Sequence, residues 1–169
     1  MLWLRALVFT IVAPYMIGVA VPRWIGGSQT VEGPFTLAGF ALIAIGWAIY
    51  FLCLLRFLVA GGTPAIFFSK PFRFLIGEEP SKLVSTGPYR LSRNPMYVGV
   101  GFMIFGRAIV AHSGEVAIYG LLLWLMFHLV VVYLEEPHLL KERGPSYADY
   151  RRQVPRWIGI PKRWRRIRP

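Results

Sequence analysis

The residue types best suited to chemistry fall in three stretches of the chain. In residues 83–99, Arg90, Arg93, Tyr89 and Tyr97 gather around Asn94 and Pro95. Proline suits the first turn of a helix, and asparagine just before it is a good N-cap. The free N–H groups of such a helix entrance, with the two arginines, would hold an anionic group of a ligand. The same residues also read as a well-capped helix start flanked by arginines that reach for lipid headgroups. The second stretch is Glu135, Glu136, Pro137 and His138. Carboxylates at the end of an apolar helix oppose the macrodipole and are costly at a membrane boundary when unpaired. They either pair with Arg90, Arg93 or an arginine of the tail, or recognise hydroxyls or an ammonium of a ligand. The third stretch, 139–155, reads as a short amphipathic helix, a Gly144–Pro145 break, and a second helix presenting Tyr147, Tyr150 and Arg151.

Helical spacing of three and four puts Trp124, His128 and Val131 on the face of Glu135, along the wall of a site open to the bilayer. His128 is therefore either a candidate site residue or a helix-packing one. Neighbouring helical residues point about 100° apart, so Glu135 and Glu136 are expected to face differently. Glu135 is assigned to the ligand and Glu136 to a structural pair. His112 and His138 lack companions at metal-ligand spacing, and no metal site is expected.

These residues must be positioned by elements built mostly for lipid. Of the 169 residues, 56% are hydrophobic and only 16% charged, against about a quarter charged in an ordinary soluble domain. Four apolar runs stand out, 2–22, 35–59, 96–111 and 115–134, where a crossing needs roughly 17–25 residues. The third run is short and carries Arg107 near its far end, from which the side chain would snorkel outward. Pro14 is expected to kink the first run, and Gly18, Gly39 and Gly46 to allow close helix contact. The expected fold is all-α: one membrane-embedded domain over 1–169, with four spans, a site loop at 60–95 and a helical tail at 135–169. Apolar side chains in the loop, among them Phe67, Phe68 and Phe72, place it at the membrane interface.

Charge sets the orientation. The formal net charge is +11, with six Lys and Arg between 56 and 93 and ten from 141 onward. The positive-inside rule puts the 60–95 loop and both termini in the cytoplasm. A basic chain this apolar points to anionic lipid as partner and away from nucleic acid. Trp157, Trp164 and the basic cluster 162–168 would anchor the tail to headgroups. Cys53 is the only cysteine, which excludes an internal disulfide and a cysteine metal cluster.

Taken in order, the three stretches resemble the integral-membrane methyltransferases of the isoprenylcysteine carboxyl methyltransferase and phospholipid methyltransferase superfamily. The matching patterns are LV-x-x-G-x-Y and R-[HN]-P-x-Y-x-G at 83–99, then E-E-x-x-L and G-x-x-Y-x-x-Y-x-x-x-V-P at 135–155. The resemblance implies S-adenosylmethionine as methyl donor, held by Lys82, Leu83, Val84, Tyr89, Asn94, Pro95, Met96, Tyr97 and Glu135. It also implies a lipophilic or lipidated acceptor, for which Arg93, His128 and Tyr147 are the candidate contacts. Asn94 stands where carboxyl-methylating members resemble R-H-P. Val131 stands where those members offer an arginine. Both features weigh against an isoprenylcysteine carboxyl substrate, and the Asn94-Pro95-Met96-Tyr97 form looks closer to the phospholipid-methylating and bacterial branches. A carboxylate acceptor needs no base, whereas an amine must first lose a proton, and no catalytic residue is assigned. An NADPH-dependent reductase of the sterol-reductase type and a non-catalytic membrane protein are the rival readings.

Overall fold

The computed structural model describes Leu4, Val8 and residues 11–26, 29–63, 80 and 82–159. A wide π-wound helix, Ile11–Ala20, runs into α1 (Val21–Gly26). Then come α2 (Thr36–Val59), a 3-10 turn at Gly87–Arg90, α3 (Pro95–Ala111) and α4 (Gly114–Val130). A second π-wound turn, Val131–Glu135, leads directly into α5 (Glu136–Gln153). The described residues hold no strand.

The closest packing joins α2 to α3, and glycine permits it. A Cβ on Gly46 would lie 2.5 Å from the Gly99 carbonyl oxygen, and one on Gly106 would lie 2.6 Å from that of Gly39. The pairs Gly39/Gly106 and Gly46/Gly99 run in opposite directions along the two helices, which are therefore antiparallel. Small residues let backbones meet where lipid supplies no hydrophobic drive between helices. Gly18 likewise approaches Met103, whose Sδ would be 3.2 Å from an added Cβ.

α3 sits at the centre, packed against α2, α4 and the Ile11–Ala20 helix, with Met103, Ile104 and Val110 at most 1% exposed. The outer helices keep large apolar side chains on the surface: Leu37, Phe51, Leu55 and Val59 on α2, and Ile118, Leu121, Leu122 and Leu125 on α4. A soluble monomer rarely leaves so broad a face bare; a lipid-facing one needs it. Two stretches are long and apolar enough to cross a membrane, Thr36–Val59 and the continuous helical run beginning at Gly114, with mean hydropathies of 2.3 and 2.2 over their most apolar windows. Pro95–Ala111 is shorter, as its sequence suggested. In the first run, residues 2, 3, 5–7, 9 and 10 lie outside the described residues. Pro14 lies within the π-wound helix, where a wider turn accommodates the missing N–H.

α2 stops at Gly61, whose φ of +79° suits a residue without a Cβ. Gly62 then lies against Pro80, close enough that an added Cβ would fall 2.4 Å from the proline nitrogen. The start of the 60–95 loop thus touches its middle. Its phenylalanines at 67, 68 and 72 lie outside the described residues. At the other end of the bundle, Arg107 donates through Nη2 to the Gln29 carbonyl at 3.0 Å, which gives the snorkelling side chain its acceptor.

Candidate active site: a cleft between the α3 entrance and α5

Four pieces of chain converge on one open cleft, whose empty space taken out to its mouth is about 520 Å³. α2 contributes Phe57, and the end of the loop contributes Pro80, Lys82, Leu83, Val84 and Tyr89. Arg93 and Asn94 come from the α3 entrance. Glu135, Glu136, Leu139, Arg143, Tyr147 and Tyr150 come from the start of α5 and the turn before it. The break in α5 falls at Gly144, with φ +50° and ψ −127°, and it turns Tyr147 and Tyr150 inward to 2% exposure each. Tyr150 then donates to the Tyr89 carbonyl at 2.7 Å, and Arg143 Nη2 to the Pro80 carbonyl at 2.6 Å.

The two carboxylates have different company. Glu136 accepts from Arg93 Nη1 at 2.7 Å and from Arg156 through both oxygens, Nε to Oε1 at 2.7 Å and Nη2 to Oε2 at 3.0 Å. Burial disfavours its charge, but the hydrogen bonds from Arg156 and the charge of Arg93 outweigh that and hold its carboxyl below the usual glutamate range. Arg156 is correspondingly pushed up by the same hydrogen bonds. Among the described residues, Glu135 takes its hydrogen bond from the Tyr97 hydroxyl. It is 8% exposed and opens on the cleft.

Adjacent helical positions were expected to diverge, yet both glutamates line the cleft. The helix changes from π winding to α winding between them. The wider turn alters the angular step on which that expectation rested, and such turns recur at functional sites.

Eight of the twelve residues expected at the site line this cleft: Lys82, Leu83, Val84, Tyr89, Arg93, Asn94, Glu135 and Tyr147. Four do not. Pro95 is buried in the first turn of α3, and Met96 packs against two buried clusters, one of Tyr50, Leu54 and Met103 and one of Cys53, Phe57 and Tyr89. Tyr97 reaches the site only through Glu135, its ring tilted against Phe127 at 4.5 Å. His128 is a packing residue: its Nδ1 accepts from Trp157 Nε1 at 3.2 Å. Trp157 also lies on Trp124 at 4.5 Å, so the protein's own tail packs on the face expected to open to the bilayer. Trp164 and the cluster 162–168 lie outside the described residues.

Asn94 stands at the N-cap position but makes no capping bond. Its Nδ2 donates to the Arg156 carbonyl at 3.0 Å instead. Ser92 Oγ donates to that same oxygen at 3.2 Å, and the Arg93 N–H to the Pro155 carbonyl at 2.9 Å. Residues 154–157 thus form a strap across the α3 entrance. Arg93 serves the protein's own carboxylate, Glu136. Arg90 is exposed. Sequence reasoning missed Phe57, Pro80, Leu139, Arg143 and Tyr150 as lining residues. Two of them carried a signal, Tyr150 in its spacing of three from Tyr147 and Leu139 as the last position of E-E-x-x-L.

The described residues contain no cluster able to hold a metal ion. Burial pushes the phenols of Tyr147 and Tyr89 up from their ordinary value, with smaller contributions from the charge of Glu136 and from Cys53 respectively. Both are therefore neutral hydrogen-bonding groups at physiological pH.

Residues 34–144 match the family model described as phospholipid methyltransferase. The chain is 30% identical over 118 residues to the protein-S-isoprenylcysteine O-methyltransferase of Schizosaccharomyces pombe, covering 68% of this chain and 48% of that protein. It is 35% identical over 83 residues to the nickel-cobalt-cadmium resistance protein NccN of Alcaligenes xylosoxydans xylosoxydans, 48% of this chain and 38% of that one. The cobalt-zinc-cadmium resistance protein CzcN of Cupriavidus metallidurans is 32% identical over a stretch covering the same shares. The chain thus spans half or less of the length of these relatives. No solved structure matches. With two helices apolar enough to cross a bilayer and a family match over residues 34–144, this is a membrane protein belonging to the phospholipid methyltransferase family.

Proposed function

We propose that the chain transfers a methyl group from S-adenosylmethionine to a lipophilic acceptor borne by the membrane. The observation that carries this reading is the cleft itself. Within the family-matched region, it gathers a buried carboxylate still open to a ligand, a cation at the mouth and apolar walls. These fit the donor. Glu135 would hold its ammonium or a ribose hydroxyl, Lys82 its carboxylate, and Leu83, Val84 and Phe57 would pack on its base. When bound, the donor supplies a methyl group on a cationic sulfur, open to displacement by a nucleophile. The residues' share of the work is to hold and align it, since in-line attack needs reacting atoms about 3–3.5 Å apart. Tyr147 and Tyr89, kept neutral, hydrogen-bond and exclude water without adding charge. The acceptor is a carboxylate of the isoprenylcysteine kind or an amine of the phospholipid kind; Asn94 and Val131, which stand where carboxyl-methylating members resemble a histidine and an arginine, weigh against the first.

Calorimetry of detergent-purified protein with S-adenosylmethionine, its demethylated product and NADPH tests the reading. Binding of the first two is the expected result. Heat with NADPH alone would make the protein a reductase, and no heat with any of the three would make it non-catalytic.

The same reading has four crossings with both termini cytoplasmic. In support, basic residues concentrate at the cleft end in sequence, while Arg107 and Gln29 meet at the other. Reporters fused after residues 28 and 113 should face outward. A cytoplasmic signal after 113 would make the third apolar segment re-entrant and overturn the topology.

A further inference from the structure

We propose that Arg156 is a positioning residue: by occupying both oxygens of Glu136 it withdraws that carboxylate from the ligand and leaves Glu135 as the cleft's one cation-binding group. The inference rests on the methyl-donor reading above, and it concerns a residue beyond 144, where the family match ends.

Two glutamates side by side on one cleft wall pose a problem of register. A ligand with a cationic centre would find two acceptors of equal charge and settle in either of two positions. The strap resolves this. Parallel bonds from Arg156 Nε and Nη2 cap both oxygens of Glu136, and Arg93 adds a third bond. Two arginines are thus bonded to Glu136, with Arg151 near, while Glu135 accepts from the neutral Tyr97 hydroxyl and has His138 near it but no arginine bonded to it among the described residues. A planar guanidinium is suited to such a two-point bond, and an ammonium is not.

The guanidinium is itself aimed by its own backbone. The Arg156 carbonyl accepts from Ser92 Oγ and Asn94 Nδ2, and the neighbouring Pro155 carbonyl accepts from the Arg93 N–H. Trp157, the next residue, is keyed between Trp124 and His128. Arg156 is 32% exposed in its side chain against 6% for Glu136, so it closes the pair from outside. The same strap that fixes Arg93 therefore also decides which carboxylate remains open.

A double-mutant cycle on the full chain in detergent reads this, with S-adenosylmethionine as probe. In the unaltered chain, Glu135→Gln lowers affinity at least ten-fold. In an Arg156→Gln background, Glu136 becomes a second acceptor, and the same Glu135→Gln change should lower affinity by less than three-fold. Arg156→Lys keeps the charge but not the two-point bond and should fall between; it also serves if Arg156→Gln does not fold. A merely structural Arg156 predicts the same factor in every background, and that outcome would overturn the inference while leaving the methyl-donor reading intact. No binding by the unaltered chain would overturn both. Amide exchange at Arg93, measured without ligand, gives a second readout: it should quicken in Arg156→Gln as the Pro155 contact loosens, and unchanged exchange counts against the strap.

Discussion

Replacing Glu136 by alanine should cost the protein about 3–5 kcal/mol of stability, because it leaves a buried arginine without its counter-charge. Arg93 is the reason the effect is large. Its side chain is 8% exposed, and its ion pair is with Glu136. Arg156, a third exposed, can turn to water, so Arg156→Ala should cost much less. The pair also ties three separate pieces of chain, the α3 entrance, the start of α5 and the strap, so its loss should loosen all three together. Unfolding in detergent at pH 7 measures the difference. The pH dependence has a definite sign. Glu136 titrates below the usual glutamate range when folded, so its contribution is complete above the unfolded value of about 4.3 and fades as pH falls through the lower, folded one. The gap between unaltered protein and Glu136→Ala should therefore be full at neutral pH and close in acid. A gap that widened in acid would mean the carboxyl is buried neutral, and the ion-pair account would fail.

The architecture was legible where a local pattern encodes it. Apolar runs of crossing length, with Gly39 and Gly46 set seven apart, foretell α2 and its close partner. The Gly144–Pro145 break foretells the turn that brings Tyr147 and Tyr150 inward. The acidic pair beside basic stretches foretells an ion-paired clasp, and Arg93 and a tail arginine supply it.

Contacts between residues far apart in the chain were not legible. Asn94 has every local credential of an N-cap, but the Arg156 carbonyl, 62 residues away, takes its side chain. Trp157 has the composition of a headgroup anchor, yet Trp124 and His128 form a socket for it. An aromatic side chain at a membrane boundary fits either environment, and sequence carries no mark to separate them. Phe57 shows the same ambiguity from the other side: in an apolar run, the phenylalanine that lines a cleft looks like those that face lipid. The π turn at Val131–Glu135 leaves no sequence signal either, and a reading at 3.6 residues per turn could not place both glutamates on one wall.

Glu135→Gln should weaken S-adenosylmethionine binding by roughly 10- to 150-fold, with little change in stability. The substitution keeps the shape of the side chain and removes its charge, and a hydrogen bond to a charged group is worth roughly 1.5–3 kcal/mol. Two features concentrate the effect on binding. The hydrogen bond that Glu135 accepts from the Tyr97 hydroxyl survives the change, since an amide oxygen can still accept it. Its position on the cleft wall, 8% exposed, places the charge where water is scarce and a ligand cation would meet it with little screening. Glu136→Gln gives the contrast: affinity close to that of the unaltered protein, and a loss of stability instead. Tyr97→Phe separates aim from charge, since it leaves the carboxylate in place but frees it to turn; an affinity loss smaller than that of Glu135→Gln is expected. Titrating the three variants with S-adenosylmethionine decides among them. A loss at Glu136→Gln equal to or greater than that at Glu135→Gln would reverse the division of labour between the two carboxylates.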